Sequence, residues 1–118
     1  MDIEQMKQAM RASAKTEVVH CQDIGEIKLR QLSAAVGMNL AKVVSDIGDD
    51  AASTNTSVLF NFYVDLISKS IVGDNDQLTF DSDEGRATLS QLRFVQLMQI
   101  GNACLSLNGM TAETAKKN

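Results

Sequence analysis

The chain has 118 residues, with 15 Asp and Glu against 11 Lys and Arg, two Cys, no Pro and no Trp. That length suits one domain burying roughly two-thirds of its unfolded surface without a disulfide or metal staple, and 44% hydrophobic with 22% charged residues excludes a disordered or collagenous chain. A formal charge of −4 lacks the basic footprint of a phosphate-backbone binder, so nucleic acid is disfavoured as a partner.

Asp2 to Ala14 reads as a short helix, because Ile3, Met6 and Met10 recur at helical spacing among polar residues. A helix this short is marginal alone, so its stripe must dock on its own core or on a partner, or fray. Thr16 to Cys21 and Glu26 to Leu32 read as strands joined by a turn over Gln22 to Gly25. Along the second strand Ile27, Leu29 and Gln31 share one face, and Lys28 and Arg30 point to the other. Ser33 is placed to cap a helix from Ala34 to about Ile47, with Val36, Leu40, Val43, Val44 and Ile47 on its apolar face and Gly48 ending it. Asp49 to Thr56 reads as a loop or a frayed helix start. Ser57 to Val72 is the most apolar stretch and reads as the central helix, ended by Gly73 and an Asp74-Asn75-Asp76 turn. A β-like Leu78-Thr79-Phe80 follows. Asp81 or Ser82 then opens a longer helix carrying Leu89, Leu92, Val95 or Phe94, Met98 and Leu105, which closes at Asn108-Gly109. The expected architecture is α+β and mainly α-helical: an N-terminal helix, a small β-hairpin, then three to four packed helices. It forms a single domain over residues 1–118, with 1–15 as a helix free to move and 110–118 as a mobile polar tail.

Motifs for chemistry are sparse. No run of 18 apolar residues occurs, so neither a membrane span nor a signal peptide is expected. Cys21 and Cys104 lack a CxxC spacing and read as reduced, buried thiols of a cytosolic protein. The lone His20 is next to Cys21, and neighbours on a strand face opposite ways, so the two do not form a nucleophile and base pair. Asp74 to Glu84 invites a calcium-loop reading, but counting from Asp74 puts Leu78, Thr79 and Gly85 at positions five, six and twelve, where an EF-hand needs a ligand, Gly and Glu. No Gly-rich phosphate loop and no HExxH is present, so an enzyme is not expected, and neither is a cofactor or a metal. A helix-turn-helix regulator over Leu29 to Ile47, turning at Gly37, is the alternative; its would-be recognition helix offers only Asn39 and Lys42 before Asp46, Asp49 and Asp50.

The order of steps along the chain carries a resemblance. A ribbon ends in Ile27-Lys28-Leu29-Arg30-Gln31-Leu32-Ser33, an apolar helix runs into Ile71-Val72-Gly73-Asp74-Asn75-Asp76, a Leu-Thr-Phe-Asp step occupies residues 78–81, and Leu107-Asn108-Gly109 closes the last helix. From about Glu17 to Gly109 this resembles the tail assembly chaperones of long-tailed, siphovirus-type bacteriophages. Where that family has an aromatic-Gly first turn, this chain has Asp23-Ile24-Gly25. The resemblance implies a non-enzymatic protein of the host bacterial cytoplasm. It binds the tape measure protein, keeps it soluble while tail tube subunits assemble around it, and is absent from the finished virion. It also implies contact with the tail tube protein and with a longer form of the chaperone itself, made by programmed frameshifting near codons such as those of Lys116-Lys117-Asn118. Repeated weak contact along a long helical client favours a homo-oligomer. The candidate surfaces for partner binding or self-association are the Ile3, Met6 and Met10 stripe and the excess apolar positions Phe60 and Tyr63.

Overall fold

The computed structural model describes residues 2–49 and 56–109. The loop expected after Asp49 and the polar tail expected from residue 110 lie outside these residues. Among them run α1 (Ile3–Ala12), β1 (Thr16–Cys21), β2 (Gly25–Arg30), α2 (Ala34–Asp49), α3 (Thr56–Ser68), α4 (Asp83–Leu89) and α5 (Phe94–Leu107). The protein is an α+β fold of packed helices on one antiparallel hairpin.

The hairpin pairs Thr16 with Arg30 and Cys21 with Gly25. Its turn uses two left-handed residues, Asp23 at φ +65° and Gly25 at φ +114°, which is why small polar residues and Gly stand there. Alternation along β2 buries Leu29 completely. Val19 and Ile27 pack more loosely on the same core.

Two expected helix ends move. The α2 helix passes through Gly48 to Asp49; a glycine weakens a helix without ending it. The central helix stops at Ser68, a turn short of Val72. The Ser70 hydroxyl donates back to the Leu66 carbonyl at 2.7 Å and the Ser68 hydroxyl to the Asp65 carbonyl at 3.0 Å, a pattern that competes with the helical ladder. Ile71 and Val72 are β-branched and join the sheet edge instead: Val72 N–H donates to the Lys28 carbonyl at 3.0 Å and Arg30 N–H to the Ser70 carbonyl at 2.9 Å. Leu78 then bridges Val72, so the expected β-like step is present as a single antiparallel bridge.

The expected long last helix is two helices. Ser82 caps the first, its Oγ accepting from Gly85 N–H at 3.0 Å. Residues 90–93 then break the run, with Arg93 extended at φ −64° and ψ 151°. The break turns α5 so that Leu97, Ile100, Gly101 and Cys104 face inward, a stripe of helical period. Phe94, expected as an alternative on that stripe, is 78% exposed, and Val95 is exposed too.

The core sits where α3 packs on α5, with α4 against α3, and the hairpin against α5. Leu29, Leu66, Ile67, Ile100, Cys21 and Cys104 are its fully enclosed side chains. Two glutamines of α5 fasten the hairpin turn: Gln99 Oε1 accepts from Gln22 N–H at 3.0 Å, and Gln96 Nε2 donates to the Gln22 carbonyl at 2.9 Å. Among the described residues no buried side-chain polar atom lacks a partner.

Candidate functional site

The helix α1 is built entirely by local forces. Asp2 accepts from Gln5 N–H at 2.8 Å while the Gln5 side chain accepts from Asp2 N–H at 3.1 Å, a reciprocal capping box. Ser13 closes the other end by donating its hydroxyl to the Met10 carbonyl at 2.7 Å. No residue of this helix is buried. Ile3 is 70% exposed, Met6 44% and Met10 65%, so the stripe that periodicity singles out packs on nothing in its own chain beyond a shallow crease that Met10 shares with Leu32 and Ala34. Ten residues of helix are below the length that is stable in water without tertiary packing. Within its own chain, α1 therefore gains little from tertiary packing.

The root of α1 is well fastened. Lys15 N–H donates to Gln31 Oε1 at 3.0 Å and Gln31 N–H returns to the Lys15 carbonyl at 2.9 Å. Gln31 Nε2 reaches the Leu107 carbonyl at 3.0 Å, and Leu32 N–H donates to Asn108 Oδ1 at 2.8 Å. The Asn108 of the Leu-Asn-Gly step thus ties the end of α5 to the exit of β2. The Gly109 that follows takes φ +69°, the left-handed helix stop.

Phe60 and Tyr63, the other proposed surface residues, are half-buried and pack on the protein's own core. Tyr63 lies over Gly101, where a Cβ would come 2.4 Å from its ring, and meets Phe62 edge-on at 5.5 Å. Burial raises its phenol above the ordinary tyrosine range. The structure therefore does not bring these two side chains together with the α1 stripe.

A second apolar surface was not anticipated from the sequence. A half-open cavity of about 410 Å³ lies between the hairpin turn, the 71–80 segment and α4, walled by Ile24, Ile27, Ile71, Phe80, Leu89 and Leu92. Ile24 is the exposed apolar residue of the turn. Lys28 lines the cavity as well, but its ammonium is held by Asp76 at 2.7 Å. Glu26 stands on the rim, and Glu84 lines an adjoining depression. No local periodicity marks this cavity, because its walls come from separate parts of the chain: the hairpin, the 71–80 segment, residues 88–92 and Ile100 of α5.

Other chemistry is thin. The thiol of Cys104 is pushed by burial up to about 11, and burial also raises that of Cys21 against the pull of Arg93. Among the described residues no group of three or more His, Cys, Asp or Glu is placed to hold a metal ion, and no helix is long and apolar enough to cross a membrane. The turn that a helix-turn-helix needs at Gly37 is not formed: Gly37 lies inside α2 and donates its N–H to the Ser33 carbonyl at 2.8 Å. No protein-family model, curated protein or solved structure matches this chain at a significant level.

Proposed function

We propose that this protein is a tail assembly chaperone of a long-tailed bacteriophage, a non-enzymatic protein that binds the tape measure protein in the host cytoplasm and leaves before the virion is complete. Supporting this reading is the order of ribbon, apolar helix, Gly-Asp turn and Leu-Asn-Gly close. The observation that carries it is apolar surface left open in two places, the α1 stripe and the cavity beside Ile24. A long amphipathic helix presents apolar residues at helical spacing, and a semi-open apolar groove or a Met-bearing stripe is the surface that receives them. Each such contact is weak, so coverage of a long client requires many protomers acting together, which self-association supplies. The tail tube protein and a longer frameshifted form belong to the same proposal as further partners.

Co-expression with a long coiled-coil tape measure candidate from the same genome tests the reading. The expected result is that the candidate becomes soluble and co-purifies. A candidate that stays insoluble, beside a protein that retains duplex DNA in a salt-dependent way, overturns it in favour of a DNA-binding regulator.

A further inference from the structure

We propose that the α1 stripe of one copy seats in the apolar cavity of a second copy, making a head-to-tail interface. This deepens the self-association that the chaperone reading calls for and rests on it only in that respect, since the contact is a property of the chain without its client. The stripe and the cavity are complementary in kind. Ile3, Met6 and Met10 span about 10 Å along one helix face, and none of them is buried. The cavity is open, apolar and bounded by an exposed Ile24.

Charge orients the pairing. Lys7 and Arg11 stand four residues apart and so flank one side of the stripe. Lys7 meets only an exposed Glu4 at 3.6 Å. The cavity rim carries Glu26 and, just beyond, Glu84, while its own cation Lys28 is already neutralised by Asp76. A cationic flank against an acidic rim gives this pairing electrostatic complementarity and fixes its orientation. Because donor and acceptor are different surfaces, a joined pair still has one free stripe and one free cavity, and association continues into rings or open spirals.

The test uses the purified full chain and light scattering or sedimentation over concentrations up to about 1 mM. Wild-type protein is expected to gain mass steadily with concentration. A stripe variant (Ile3→Ser with Met6→Ser and Met10→Ser) and a cavity variant (Ile24→Glu) change exposed residues, so both should keep the wild-type circular dichroism and melting temperature. Each alone should associate at least about tenfold more weakly than wild type. Mixed in equal amounts they should form a one-to-one dimer and nothing larger, because only one intact stripe and one intact cavity remain. Glu26→Lys should weaken association, and Lys7→Glu in the same chain should restore part of it. A wild type monomeric throughout, a mixture that stays monomeric, or an Ile24→Glu protein that associates like wild type would each overturn the interface. Solubilisation of a tape measure candidate by a monomeric wild type would leave the chaperone reading standing without this interface.

Discussion

Asp76 holds a left-handed backbone at φ +60°, a conformation Asp and Asn tolerate better than most residues. Its side chain and carbonyl are both used: Lys28 Nζ donates to Oδ1 at 2.7 Å and Arg30 Nη1 to the carbonyl at 3.0 Å. The Lys28 hydrogen bond and then its charge hold the Asp76 carboxyl below the ordinary value. A carboxyl lowered in the folded state stabilises it above the unfolded pKa of about 3.9 and loses that contribution as pH falls through the folded value. Asp76→Asn, which keeps the backbone preference, should lower the melting temperature slightly at pH 7, and the gap should close below about pH 4. A gap constant with pH would mean that the ion pair contributes nothing. Gly85 makes a steric demand instead, because a Cβ there would lie 2.6 Å from the Phe80 Cα and carbonyl oxygen. Backbone cannot yield as a side chain does, so Gly85→Ala should cost about 1–3 kcal/mol in denaturant unfolding, despite a helix propensity favouring Ala by about 1 kcal/mol. The thiols were legible from their isolation in sequence, and burial raises both above the ordinary thiol value. A thiol-specific disulfide reagent at pH 8 should modify neither in the native protein and both after unfolding.

Elements were legible where their signals are local. The hairpin declares itself through β-branched runs around an Asp-Ile-Gly turn, α1 through its capping residues and α4 through Ser82. Boundaries that depend on a distant partner were not legible. Ser68 ends α3 because the Ser70 carbonyl and the Val72 N–H find hydrogen-bond partners on β2. The run from Ser82 to Asn108 breaks at residues 90–93, where Gln96 bonds Arg93 N–H and the Gln22 carbonyl and Arg93 pairs with Asp23. The α1 helix is the opposite case, formed locally and attached only at its root. Removing residues 1–12 should therefore change the global stability of the monomer by no more than about 0.5 kcal/mol, the range of surface changes, and abolish self-association. Cooperative destabilisation of the whole domain on truncation would place the stripe in the core instead.

Across the whole molecule, protection should follow enclosure. Hydrogen exchange of dilute protein should be slowest around Leu66, Ile67, Ile100 and Cys104 and close to unprotected in α1, whose residues are all exposed. Protection of α1 appearing only at high protein concentration is the expected mark of the head-to-tail contact. The amino-acid sequence by itself determined the class and order of elements, the acidic balance and the amphipathic stripe of Ile3, Met6 and Met10, because composition, capping and periodicity act within a few residues. Tertiary structure alone decided that this stripe stays uncovered, that Tyr63 is taken up by Gly101, and that Ile24, Ile71, Phe80 and Leu92 enclose a cavity. Those outcomes depend on which distant surfaces meet, and close packing settles that only when the whole chain is folded.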